Sequence, residues 1–124
     1  MGENTLLCGE NRDRGSLRLP GKQEEFVRQL IVTGKPVVLV MFGGRAQVIG
    51  DLADKCAAVI QAWYPGEEGG NALADIIYGN VAPSGKLSVS YPKVELNENI
   101  CYNYSSTPDE RIQYHFGYGL NYTT

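Results

Sequence analysis

Glu3, Glu10 and Asp13 place three carboxylates at the front of a 124-residue chain, and their spacing is where acid–base chemistry is to be sought first. Glu10 follows Gly9, which lets a backbone come close to a ligand. A loop carboxyl of this kind is a candidate general acid, because such a group works best with a pKa tuned toward the working pH. The same spacing also suits a solvated carboxylate paired with Arg12 or Arg14, and the residues alone leave both readings open. Glu67 and Glu68 are a second pair of acids. They read as the start of a helix, where acids complement the N-terminal dipole and neighbouring side chains point in different directions. Gly69 and Gly70 beside them have the composition of an anion site at a helix N-terminus. Two adjacent acids argue against phosphate there, so close packing is the expected role.

Other chemistries find little support. The one histidine, His115, has no nucleophile elbow before it, so a Ser-His-Asp hydrolase is disfavoured. Cys8, Cys56 and Cys101 are an odd number at unrelated spacings, without a CxxC, and no metal or organic cofactor is implied. Trp63 ends an apolar run and reads as core rather than as a sugar-stacking ring. Asn103-Tyr104-Ser105 and Asn121-Tyr122-Thr123 match the glycosylation triplet and carry little weight.

The elements that must position these groups follow from the hydrophobic pattern. Residues 2–21 lack periodicity and read as a long surface loop, a kind of segment that is often functional. A helix is expected over 22–33, with Phe26, Val27, Leu30 and Ile31 on one side and Gly34 as its stop. The continuous apolar run 37–42 reads as a strand buried on both faces of a parallel sheet. A short helix at 51–55 leads to a second buried strand at 57–63, which makes a βαβ unit. A helix at 71–78 ends at Gly79. After the turn Pro83-Ser84-Gly85, residues 87–91 alternate as an edge or half-buried strand does. Beyond Pro92 comes a polar loop containing Asn97, Tyr102 and Tyr104, then a tail closing in Phe116-Gly117-Tyr118-Gly119-Leu120. One domain over 1–124 is expected, with a leading loop 2–21, an α/β core 22–92 and a C-terminal loop and tail 93–124. The length fits a single core.

Several of these stretches, taken in order, resemble the C-terminal α/β sandwich domain of glycoside hydrolase family 3, the β-glucosidase family. They are Gly2-Glu3, Gly9-Glu10-Asn11-Arg12-Asp13-Arg14, Leu19-Pro20-Gly21 with Gln23, Thr33-Gly34-Lys35-Pro36-Val37-Val38, Gly44-Arg45, Trp63 to Asn71, Pro83-Ser84-Gly85-Lys86-Leu87, Tyr91-Pro92 and the closing 116–120. The resemblance covers almost the whole chain. It implies a flavodoxin-like three-layer α/β/α sandwich with a mostly parallel sheet, here lacking its first strands. It further implies a retaining exo-β-glycosidase acting on terminal β-D-glucosyl residues of a β-linked glucoside or oligosaccharide. In that scheme Glu10 is the first candidate for the acid/base glutamate and Glu3 the second. Asp13, Arg14, Tyr114 and Tyr118 are the implied substrate contacts.

Retaining glycosidases need two carboxyl groups about 5–5.5 Å apart. In this family the nucleophile is an Asp of a (β/α)8 barrel domain, and nothing in these residues resembles that barrel. The chain is therefore expected to hold half an active site, to need the barrel of its parent protein as partner, and to be inactive alone. His115 stands where the family commonly has Pro. The alternative function is a non-catalytic carbohydrate- or domain-binding module. The missing opening strands would leave a sheet edge of unpaired backbone groups, for which a homodimer is one remedy.

Composition narrows the partners. A net charge of -3, with 43% hydrophobic and 20% charged residues, gives no basic patch for a phosphate backbone, so nucleic acid is not expected. No apolar run reaches the roughly 20 residues needed to cross a bilayer, and no signal peptide is visible in this chain; the compartment is left open.

Overall fold

The computed structural model describes residues 1–95 and 109–122. The polar loop expected around Asn97–Ser106, with Cys101 and the Asn103 triplet, lies outside the described residues. Helix α1 (Gln23–Val32) presents Val27 inward and ends where Gly34, at φ 75°, donates its N–H to the Ile31 carbonyl at 3.0 Å. Glycine adopts that left-handed conformation without a Cβ penalty, which is why the helix stops there.

Strand β1 (Val38–Phe42) and strand β2 (Ala58–Trp63) pair in parallel, from Val38 opposite Ala58 to Phe42 opposite Trp63. Between them runs the one-turn helix α2 (Leu52–Lys55). Leu39 and Met41 alternate onto one face of β1 and meet Val27 of α1, Leu52 of α2, Ile49 and Leu19 in the core. The period of two in a strand and the inward stripe of the helices put these residues together. Arg28 of α1 grips Asp51, just ahead of α2, through both carboxylate oxygens at 2.6 and 2.9 Å, and Lys55 joins at 2.6 Å. Those contacts, the Arg28 hydrogen bond foremost, hold the Asp51 carboxyl well below the usual carboxylate range.

The first residues belong to the sheet. Met1 donates its ammonium to the Val40 carbonyl at 2.7 Å, Phe42 N–H reaches the Met1 carbonyl at 2.8 Å, and Glu3 N–H reaches the Phe42 carbonyl at 3.1 Å. They run parallel to β1 on the side away from β2, with a bridge from Gly2 to Phe42. At Gly2, with φ 135°, an added Cβ would fall 1.7 Å from the Phe42 carbonyl oxygen, so this approach admits only glycine.

Helix α3 (Gly69–Ile77) begins two residues before the expected Asn71, with Glu68 flanking it, and Gly79 at φ 79° closes it. The segment 87–91 departs from expectation. Only Tyr91–Pro92 forms a strand, β3, and it pairs antiparallel with a tail strand, β4 (Ile112–Tyr114), that the pattern did not reveal. Leu87 spends its N–H on the Tyr118 carbonyl at 2.8 Å and accepts from Gly117 N–H at 2.7 Å. Leu87 and Val89 are half-buried and Ser88 exposed, as in an alternating strand, but the hydrogen bonds go to the tail. Pro92 has no N–H to give a ladder, which confines this stretch to a short pairing.

Tyr91 carries a testable oddity. Its side chain is buried and its hydroxyl has no hydrogen-bond partner among the described residues. An orphaned buried hydroxyl costs about 1–3 kcal/mol. Tyr91→Phe is therefore expected to leave stability unchanged or raise it by about 1 kcal/mol at pH 7 in urea denaturation. Burial pushes the Tyr91 hydroxyl well above its ordinary value. A raised folded-state pKa means its contribution is complete below about pH 10, the unfolded value, and is lost as pH rises toward the folded one, because the unfolded chain releases the proton more readily. Stability above pH 10 should fall less steeply in Tyr91→Phe than in the parent chain. An equal slope would show that the hydroxyl is solvated.

Candidate functional site

A parallel sheet puts the loops that leave its strands at one end and those that enter them at the other, and in open α/β folds ligands bind outside the carboxyl ends of the strands. Three segments leave the sheet at that end: the leading loop after Glu3, Gly43-Gly44-Arg45 after β1, and Trp63-Tyr64 after β2. The candidate site is the cluster they form.

Glu10 stands on a four-residue turn closed by Arg12 N–H donating to the Gly9 carbonyl at 3.1 Å. Asn11, the third residue, has φ 56°, a conformation Asn tolerates better than most side chains. Glu10 and Asp13 are both exposed. Among the described residues no hydrogen bond or ion pair engages the Glu10 carboxylate, which leaves its side chain available to an approaching group.

Glu3 has the opposite setting. Its side chain is fully buried, and Arg14 Nη1 donates to Oε1 while Arg45 Nη1 lies 3.2 Å from Oε1 and 3.4 Å from Oε2. Two guanidiniums between them engage both oxygens of this one carboxylate. Arg14 also donates to the Arg18 carbonyl at 3.3 Å. Of the two readings left open for Glu10, the one that pairs it with Arg14 does not hold, since Arg14 pairs with Glu3, and the arrangement fastens the base of the loop to the sheet.

The aromatic residues form a chain of ring contacts. Trp63 meets Tyr91 edge to face at 6.4 Å, Tyr91 meets Tyr114 likewise at 6.4 Å, and Tyr114 stacks on Tyr118 at 4.9 Å. Trp63 has φ 52°, unusual for a bulky residue, and lies at a bulge where the pairing skips Ala62. Backbone strain of this kind costs of order 1–3 kcal/mol and gathers at functional sites. The carbonyl of Trp63 accepts from Gly43 N–H at 3.2 Å, so the strained residue is tied to the end of β1. Beside it, the Tyr64 hydroxyl and the Cys8 thiol crowd Gly44, where a Cβ would meet them at 3.2 Å each. The hydrogen bond with Cys8, ahead of burial, raises the Tyr64 hydroxyl above its ordinary value.

Arg45 is the functional candidate that its sequence position alone did not mark. A Gly-Gly-Arg after a buried strand was the available signal, since glycines at a sheet's carboxyl end let a following side chain turn back over it. His115 is exposed, with Asp109 at 3.9 Å. No group of three or more His, Cys, Asp or Glu side chains among the described residues could hold a metal ion, and no described helix is long and apolar enough to cross a membrane. The broad furrow along α1, lined by Arg18, Lys22, Glu25 and Gln29, does not include the Glu10 turn.

Residues 1–122 match the glycosyl hydrolase family 3 C-terminal domain. A xylan 1,4-beta-xylosidase of Xylanibacter ruminicola is 41% identical over 118 residues, covering 90% of this chain and 14% of that protein. A periplasmic beta-glucosidase of Salmonella typhimurium is 34% identical over 142 aligned positions, covering 100% of this chain and 19% of its own length. Among solved structures, a beta-glucosidase from Kluyveromyces marxianus is 33% identical with a TM-score of 0.83, over 99% of this chain and 17% of that one. A beta-glucosidase from Listeria innocua in complex with glucose is 31% identical with a TM-score of 0.81, over 98% of this chain and 20% of that one. The chain spans a fifth or less of the length of these proteins. The expected α/β sandwich fold holds, with two paired strands in the parallel sheet among the described residues.

Proposed function

The chain belongs to the glycosyl hydrolase family 3 C-terminal domains, and from that premise we propose that it serves a retaining exo-β-glycosidase by presenting Glu10 as the acid/base to a nucleophile on a (β/α)8 barrel of the same parent protein. The observation that carries this reading is the setting of Glu10, an exposed carboxylate without a partner among the described residues, on a closed turn at the carboxyl end of the parallel sheet. The small share of its relatives that the chain spans fits a partner domain in a longer protein.

The chemistry follows from two carboxyls in different settings. A general acid must hold its proton until the leaving oxygen needs it, whereas the nucleophile must stay ionised. Glu10 stands on an exposed turn, where a barrel closing over the loop would remove water from around its carboxyl. Protonated Glu10 would then donate to the departing oxygen, and as a carboxylate it would deprotonate the water that releases the sugar. Asp13, Tyr114 and Tyr118 are proposed as sugar contacts. Arg14 is proposed to contribute there too, while its Nη1 anchors Glu3.

The relatives are named as xylosidases as well as glucosidases, so β-D-glucosides and β-D-xylosides are both candidate substrates, with the glucoside put first. Purified alone, the chain is expected to hydrolyse neither 4-nitrophenyl β-D-glucopyranoside nor the xyloside. Joined to its barrel, it should hydrolyse at least one of them. Turnover by the chain alone would overturn the shared-site reading. Binding of glucose without turnover in either form would favour the non-catalytic module. Light scattering on the same sample tests the homodimer proposed for the partly uncovered sheet, where Val38 and Phe42 are both exposed; a monomer at every concentration would remove it.

A further inference from the structure

Glu10 owes its place to a residue thirty-five positions further along the chain. Arg45 Nη1 donates to the Leu7 carbonyl at 2.9 Å, and Nη2 donates to the Arg12 carbonyl. Leu7 and Arg12 stand on either side of the tip that carries Glu10, so one guanidinium holds both legs of the turn. The same Nη1 faces the buried Glu3 carboxylate. Arg45 itself leaves the carboxyl end of β1, which is fixed by Phe42 N–H to Met1 and by Gly43 N–H to Trp63. The load path therefore runs from the sheet through one planar fork to the loop tip.

From this geometry we infer that Arg45 is a positioning residue for the acid/base step, setting the height and orientation of Glu10 above the sheet before any partner domain docks. The inference rests on the reading of Glu10 as acid/base. Arginine suits the task because its guanidinium offers five donors in a rigid plane, whereas a lysine ammonium is a point charge on a flexible stem. Lysine at this position keeps the charge opposite Glu3 and loses the fork that spans two carbonyls. The backbone is thus held while the Glu10 side chain stays exposed, an arrangement that lowers the ordering cost of the catalytic geometry.

The test has two arms. In the 124-residue chain, amide hydrogen exchange across residues 7–14 is followed for the unchanged protein, Arg45→Lys and Arg45→Met. Slow exchange at the turn in the unchanged chain, accelerated at least about tenfold in the variants while β1 and β2 keep their protection, is the expected result. Fast exchange in the unchanged chain, or unaltered exchange in Arg45→Lys, overturns the inference, whether or not Arg45→Met folds.

In the barrel-containing protein, kcat/KM is compared for phenyl and 2,4-dinitrophenyl β-D-glucosides, or the xylosides if those are the substrates. Dinitrophenolate departs without a proton and phenolate needs one. Arg45→Lys should lower kcat/KM on the phenyl glycoside by about 10- to 100-fold, the scale expected for misplacing a catalytic group by roughly 1 Å, and change the dinitrophenyl value by less than about threefold. Equal losses on both would mean a purely structural role and sink the inference. Glu10→Gln run alongside separates the two claims. If it lacks the leaving-group dependence, the acid/base reading fails; if it shows it and Arg45→Lys does not, only the positioning role fails.

Discussion

Replacing Glu10 by glutamine in the barrel-containing protein is expected to lower kcat/KM toward phenyl glycosides by about 10²–10⁴-fold, the usual worth of a positioned general acid. The reason lies in the two settings at the end of the sheet. Glu10 is solvent-facing on a turn whose legs are held, while Glu3 is enclosed by Arg14 and Arg45. A carboxylate enclosed by two guanidiniums, with no exposed side-chain surface, is poorly placed to reach a leaving group. Glutamine is nearly the same size as glutamate and leaves the turn intact, so the loss would report proton transfer rather than shape. Azide provides a second reading. It attacks a glycosyl-enzyme without a base to activate it, so on a dinitrophenyl glycoside it should restore much of the turnover of Glu10→Gln and yield a glycosyl azide. An unchanged rate in Glu10→Gln would dismiss Glu10 and return attention to Glu3 and Asp13.

Glu3→Ala should be among the most destabilising single changes in the chain. The Glu3 side chain is 0% exposed, and removing it leaves Arg14 and Arg45, at 17% and 21% exposure, facing each other without their counter-charge. Removing one member of a buried ion pair costs about 3–5 kcal/mol, far more than the 0–1 kcal/mol typical of a surface pair. Water reaches both guanidiniums in part, which places the expectation at the lower end, about 3 kcal/mol. Urea denaturation would show this as a lower midpoint with an unchanged slope. A loss below about 1 kcal/mol would mean that the pair behaves as a surface pair and that the loop is fastened by its backbone contacts instead. The effect should extend to the turn, since Arg45 holds Leu7 and Arg12 from a position that Glu3 helps to fix.

Much of this protein is written locally. The unbroken apolar run before Gly43 specifies a strand of the parallel sheet and β1 forms there, but it is buried on one face rather than the expected two: Leu39 and Met41 enter the core while Val38 and Phe42 are exposed. Gly34 and Gly79 end their helices for the conformational reason that makes glycine legible in any sequence. The order of helix, strand, helix, strand and helix follows from such signals, as does the placing of Glu10 on a loop. The family follows from the same stretches taken together.

What the local pattern does not carry is the destination of each hydrogen bond. Residues 87–91 alternate as a strand should, yet Leu87 bonds to the tail and only Tyr91–Pro92 pairs, with a partner twenty residues away that has no strong signal of its own. Glu3 and Glu10 are alike as letters, two glutamates seven apart in one loop. Their difference arises because Met1–Glu3 runs beside β1, which brings Arg45 from 42 positions away against one of them and leaves the other in water. Periodicity and backbone preference are properties of neighbours in sequence, so they determined the elements; burial and charge pairing are properties of neighbours in space, so only the closed sheet could decide which carboxylate anchors the loop and which is left free to act.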